Sequence, residues 1–151
     1  MSWVKRQPRA KNVTEFIPRN PGKYVGSWPI LVRSSWERQF CQFVDCNPEI
    51  VEWSSEDIVI PYLDPFIQNK RRRYYPDFWI KTKNAERFII EVKPSKDCRP
   101  PSPSKKKSHK TILTERKTYK MNMAKFEAAT RYAQKMGMKF KIITEKELHG
   151  K

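Results

Sequence analysis

Three residues in this chain have the types and spacing needed to cut a phosphodiester with a divalent metal. Asp77 sits in Tyr74-Tyr75-Pro76-Asp77-Phe78-Trp79-Ile80, and Glu91 and Lys93 sit in Arg87-Phe88-Ile89-Ile90-Glu91-Val92-Lys93. Carboxylates supply the hard oxygens that hold such an ion, which polarises the phosphate and lowers the pKa of the attacking water. A lysine beside them can orient the water or offset the negative charge that develops on phosphorus. Both segments are apolar and β-prone, and the polar stretch Lys81 to Glu86 between them reads as a turn, so two adjacent strands are predicted. Strands in a sheet lie about 5 Å apart, close enough for Asp77 and Glu91 to share one ion. Glu91 and Lys93 are two apart and therefore share a strand face, with Val92 pointing into the core on the other.

Other elements must position these groups. Trp36, Phe40, Phe43 and Val44 recur at one helical face, which predicts a helix from about Ser34 to Asp45. Glu37 near its start carries two readings of equal weight. Ser34-x-x-Glu37 is a capping box, and a helix crossing the sheet could also bring Glu37 to the site as a further acid. Glu49 to Trp53 and Glu56 to Tyr62 suit a first strand or hairpin. Asp64 to Arg73 reads as a basic loop that sets Lys70, Arg71, Arg72 and Arg73 at the edge of the site. The run Pro94 to Lys110 holds four prolines and Lys105, Lys106 and Lys107, and reads as a mobile basic loop. A long helix from about Thr111 to Met136 follows, with Tyr119, Met123, Phe126, Thr130 and Ala133 on its apolar stripe and Gly137 at its C-terminal cap. A last strand spans Met138 to Thr144.

The 151 residues carry 32 lysines and arginines against 16 acids, a formal charge of +16. Such an excess points to a polyanionic partner, because each cation set on a phosphate releases condensed counterions. Residues 1–33 are basic and interrupted by Pro8, Pro18, Pro21 and Pro29, which predicts an extended arm; Trp3, Phe16, Tyr24 and Trp28 within it favour packing or binding. No apolar run approaches the roughly 18 residues of a membrane helix, and Met1 to Lys11 lacks the apolar centre of a signal peptide, so a soluble intracellular protein is expected. Cys41, Cys46 and Cys98 suggest neither a disulfide framework nor a zinc site. His109 and His149 read as surface residues, with no support for histidine-based chemistry.

Taken together, Pro76-Asp77 and Glu91-Val92-Lys93 resemble the two motifs of the PD-(D/E)xK nuclease superfamily. Ser34-Ser35-Trp36-Glu37-Arg38-Gln39-Phe40, Ile60-Pro61-Tyr62, Arg72 to Asp77 and Ile143-Thr144-Glu145 further resemble the N-terminal endonuclease domain of TnsA-type transposition proteins. The length, the basic N-terminus and the opening Trp3-Val4-Lys5-Arg6 resemble the head completion nucleases of T4-like bacteriophages. The resemblance implies an α/β fold with an αβββαβ restriction-endonuclease-like core and a central mixed sheet flanked by helices. It covers roughly residues 34–145, between the basic arm of 1–33 and a short tail of 146–151.

It also implies Mg²⁺-dependent cleavage of double-stranded DNA, with Mn²⁺ able to substitute. Asp77, Glu91, the Val92 backbone carbonyl and, less firmly, Glu37 would be metal ligands, and Lys93 the catalytic lysine. The cations Lys70 to Arg73 and Lys105 to Lys107 would contact phosphate with little sequence reading. The implied setting is phage head completion before the tail joins, with portal or neck proteins as further partners and the head–tail connector as a location. Two readings from other classes stay open at this level: a non-enzymatic basic DNA-binding or virion connector protein, in which the acids and lysine form structural ion pairs, and an RNA-directed nuclease or binder.

Overall fold

The two strands around the Asp77–Glu91 motif are the centre of the computed structural model, which describes residues 13–104 and 106–149. Strands β6 (Phe78–Thr82) and β7 (Arg87–Val92) pair antiparallel, in a register running from Phe78 opposite Ile90 to Lys81 opposite Arg87. The expected turn closes them: the Thr82 N–H donates to the Glu86 carbonyl at 2.9 Å, and Ala85 takes φ 65°. Strand β3 (Ile50–Ser55) lies antiparallel beside β6, and β8 (Lys139–Ile143) lies parallel beside β7, giving the order β3-β6-β7-β8. A parallel neighbour requires a crossover, which helix α2 (His109–Lys135) supplies. With helix α1 (Ser35–Cys46) ahead of β3, the main sheet follows the αβββαβ order and is mixed.

The sheet divides two apolar clusters by strand alternation. Phe78, Ile80, Ile90 and Val92 face α1, whereas Ile89 faces α2 and a separate hairpin, β4 (Ile60–Leu63) with β5 (Arg71–Tyr74). This hairpin corrects two expectations. The segment after β3 does not fold back on it, because Glu56 adopts a left-handed backbone, φ 53°, and turns the chain toward β5 instead. The basic run is strand rather than loop: Arg71 and Arg73 face solvent while Arg72 folds onto Asp64 and Tyr74 is buried, so alternation separates the like charges.

From Thr14 onward the expected arm is packed. Strands β1 (Thr14–Phe16) and β2 (Ile30–Val32) pair antiparallel, and Phe16, Tyr24, Ile30 and Val32 are buried with Phe40 and Trp53. The prolines break regular structure there without preventing burial. The more N-terminal basic residues Lys5, Arg6, Arg9 and Lys11, with Trp3, lie outside the described residues.

Both helices bury a face rotated from the expected one. In α1 it is Glu37, Phe40, Cys41, Val44 and Asp45, and Phe43 is 54% exposed at the rim of a cleft of about 330 Å³ that it shares with Phe88 and Leu148. Two of the five buried α1 residues are acids, and hydropathy alone cannot anticipate that. In α2 the buried residues are Asn122, Phe126, Ala129 and Ala133. Tyr119 and Met123 are half-buried and Thr130 is exposed. A helix of this length spans about 40 Å against about 17–20 Å for the strands it covers. Only its C-terminal half meets the sheet, and there Ala129 and Ala133 allow close approach. Gly137, φ 72°, ends the helix, with the Met138 N–H on the Ala133 carbonyl at 2.7 Å.

Candidate active site

Asp77 stands just before β6, where the chain leaves the hairpin strand β5 through Tyr75 and the buried Pro76 and enters the sheet. Proline is tolerated here because this position takes no ladder bond that would need its missing N–H. Asp77 Oδ2 accepts the backbone N–H of Val92 at 2.8 Å, which ties the first acid to the end of β7. The N–H and C=O of a strand residue leave the same edge, so the Val92 carbonyl also faces the Asp77 side. Next to Val92, Glu91 is 7% exposed and accepts from two side chains: the Tyr74 hydroxyl at 2.6 Å on Oε1 and the Lys93 ammonium at 3.4 Å on Oε2. Lys93 lies about 6.0 Å above the ring of Phe126 on α2, and its own N–H donates to Ile143 of β8.

The first helix delivers Glu37 to the same place. Ser34 caps α1 by accepting the Glu37 N–H at 3.1 Å, and the Glu37 carboxylate accepts the Arg33 N–H at 3.2 Å and the Ser34 hydroxyl at 3.3 Å. Glu37 is thus a cap residue, closing on Arg33 rather than on Ser34's own N–H, and also a buried acid facing the site. Burial, then the charge of Glu56 and further that of Glu91, raise its pKa to about 7. Asp77 is held well above the ordinary range, first by burial and then by Glu91 and Glu37. Burial, followed by the Glu91 charge, also pushes the Tyr74 phenol upward, so it remains a donor to Glu91.

Converging, mutually repelling, buried carboxylates fit a divalent cation in this crevice, since an ion would offset the charge that now holds protons on them. No three carboxylate, imidazole or thiolate groups among the described residues are arranged to hold a metal by themselves. Mg²⁺ keeps several waters and takes one or two carboxylates plus substrate phosphate, so two converging carboxylates fit it. Asp77 and Glu91 are the two best placed.

Residues 47–145 match the family described as TnsA-like endonuclease N terminal. The chain belongs to this family. The matched span of the TnsA-like domain contains Asp77, Glu91 and Lys93 and begins after Glu37. A relative, the head completion nuclease of Enterobacteria phage T4, is 39% identical over 138 residues, covering 87% of this chain and 89% of that protein.

Sequence reasoning missed three contributors to this TnsA-like site. Glu56, 1% exposed, donates its backbone N–H to the Asp77 carbonyl at 3.0 Å, and its carboxylate holds the Arg33 guanidinium at 2.7 and 3.1 Å. Arg33, whose N–H also holds Glu37, therefore links two of the acids from outside the crevice. Tyr74 is the third, and its place directly before Tyr75-Pro76-Asp77 was the available signal.

The cations sort unevenly. Lys70, Arg71 and Arg73 are exposed, while Arg72 is paired with Asp64 at 2.5 Å. Lys106 is exposed, Lys107 is paired with Glu115 at 2.9 Å, and Lys105 lies outside the described residues. The Pro94–Lys110 run begins with a 3₁₀ turn, Ser95–Cys98, pinned by Glu145 through the Ser95 N–H at 2.9 Å and hydroxyl at 2.5 Å. Glu145 thus braces the chain two residues after Lys93. Cys41 is buried as a core filler, but Cys46 is exposed; His109 and His149 are exposed.

Proposed function

We propose that this chain is a Mg²⁺-dependent deoxyribonuclease that cuts duplex DNA with little sequence preference during phage head completion. The observation that carries the reading is the pinning of Asp77 by the Val92 N–H beside Glu91 and Lys93. It sets two carboxylates and an ammonium together at one end of the two central strands, β6 and β7. The printed name of the 39% identical phage T4 relative supports both the nuclease activity and the setting. A location at the head–tail connector and contacts with portal or neck proteins belong to this same proposal.

Mg²⁺ held by Asp77, Glu91 and the Val92 carbonyl would polarise the scissile phosphate and lower the pKa of an attacking water. The chain's own residues do the rest. Tyr74 donates to Glu91 Oε1 and fixes the direction of that carboxylate. Lys93, 24% exposed, can reach a phosphate oxygen or the attacking water from its place beside Glu91 and offset developing charge. Glu37 adds a further acid at the same crevice, facing the Asp77 and Glu91 carboxylates. Lys70, Arg71, Arg73 and the lysines of the Pro94–Lys110 run hold the DNA backbone, which confers affinity without base reading.

Plasmid nicking tests the reading. Wild type should convert supercoiled DNA with Mg²⁺ or Mn²⁺ and stop in EDTA, and Lys93→Ala should lose roughly 10²-fold or more in rate. Binding of DNA by Lys93→Ala, measured at matched salt, should stay within a few-fold of wild type. Undiminished cleavage in EDTA, or by the Lys93→Ala variant, removes the proposal.

A further inference from the structure

The tip of the β4–β5 hairpin concentrates apolar surface where a soluble domain has no folding reason to place it. Leu63, Phe66 and Ile67 are 62%, 46% and 52% exposed. Scattered exposed apolar residues are ordinary, but three within five residues on one projecting turn are not. The tip is also rigid. The buried Asp64 carboxylate accepts the Phe66 and Ile67 N–H groups at 2.7 and 3.0 Å and the Arg72 guanidinium at 2.5 Å. The Asp64 N–H donates to the Lys70 carbonyl, and the Lys70 N–H to the Ile67 carbonyl. Lys117 and Lys120 of α2 sit about 5.8 and 6.0 Å from the Phe66 ring centroid, and Lys70 and Arg71 are exposed at the base of the turn.

An aromatic ring held rigidly beside two lysines of α2, with Lys70 and Arg71 exposed at the base of the same turn, matches one occupant by charge and by shape, the DNA duplex. Lysines take the phosphates on either side, and an apolar side chain enters between base steps and kinks the helix. A preformed tip loses little conformational freedom on insertion. We propose that Phe66, supported by Ile67 and Leu63, is a wedge that unstacks the bound duplex at a fixed distance from the cutting site. This rests on the DNA-nuclease reading above and adds a substrate-deforming element to it.

Helix α2 supplies the distance, because it passes both places: Lys117 at Phe66, and Phe126 under Lys93. Nine residues of helix rise about 13 Å. The hairpin gives the same order of separation, since Tyr74 at its base bonds Glu91 and its tip lies one strand length away.

The test reads binding alone, so it is independent of whether the chain cleaves. Asp77→Asn protein in EDTA is titrated into short duplexes carrying 2-aminopurine at successive positions. The expected result is a fluorescence rise on binding at each interior position tested, because a chain that reads no sequence places the wedge at every step in turn. Adding Phe66→Ala should abolish the rise while affinity changes by less than about three-fold, and Phe66→Trp should restore it, which a misfolded tip would not do. Removing Lys117 and Lys120 together should lower affinity and reduce the salt slope by about two. No rise with the parent protein, or the same rise without the Phe66 ring, overturns the wedge and leaves the tip to a protein partner. Loss of the nuclease reading itself would show only in the nicking assay.

Discussion

Two pairs of buried acids in this small fold are treated by it in opposite ways. Asp45, 2% exposed, accepts the N–H groups of Arg19 and Asn20 at 2.8 and 3.0 Å, with the Lys23 ammonium on the neighbouring carbonyls. Asp64 accepts two backbone N–H groups and an arginine, and that arginine holds its pKa below the usual range. Asp77 receives a single N–H, faces two other carboxylates and is pushed upward; Glu37 is pushed up to about 7. Burial of an acid is therefore not the mark of a site. The difference is a shortage of donors around Asp77 and Glu37, which leaves them a charge partner short where Asp45 and Asp64 are satisfied, and that shortage is what the metal-site proposal rests on.

Replacement of one acid on each side of this comparison should give opposite results. Asp77→Asn keeps an acceptor for the Val92 N–H but loses the charge, so cleavage should fall by about 10³-fold or more while stability in EDTA is unchanged or higher. Asp45→Ala should instead cost about 1–3 kcal/mol by orphaning two amides, with cleavage per folded molecule preserved. Urea unfolding beside a nicking assay reads both, and equal behaviour of the two variants would break the distinction.

A smaller effect concerns pH. The folded state keeps the Glu37 proton up to about pH 7, whereas an unfolded glutamate releases it near 4.5. Between those values the folded state binds more protons, so metal-free stability should decline as pH rises through that window, by the order of 1–3 kcal/mol. Glu37→Gln should reduce the decline, leaving the part due to Asp77, and stabilise the apo protein at pH 8, as measured by urea midpoints at pH 5 and 8 in EDTA. A wild-type midpoint rising across the window would contradict this.

The smallest change is expected at Asp64. Its lowered pKa contributes stability above the ordinary aspartate range that is lost as pH falls through the folded value. Arg72 is 39% exposed, so solvent screens the pair. Arg72→Gln should flatten that part of the acid unfolding limb with little effect at neutral pH, and a larger loss than Asp45→Ala produces would reverse the ranking.

What the sequence determined was local. Apolar flanks, a polar turn and a two-residue offset put Asp77, Glu91 and Lys93 at the adjoining ends of paired strands, and Ser34 three residues before Glu37 capped α1, because strand alternation and helix capping act over a few residues. Net charge and the order of helices and strands in the main sheet were equally legible. The tertiary structure decided what depends on distant partners: the burial of Phe16 and Ile30 in a proline-rich stretch, the rotation of α1 that buries Cys41 and exposes Phe43, and the detour of β4 and β5 away from the sheet. It also decided which acids are neutralised. Whether Asp64 meets Arg72 or Asp77 meets Glu91 is set by side chains brought together across the fold, and Coulomb energy follows distance and burial, neither of which is written in the spacing of residues along the chain.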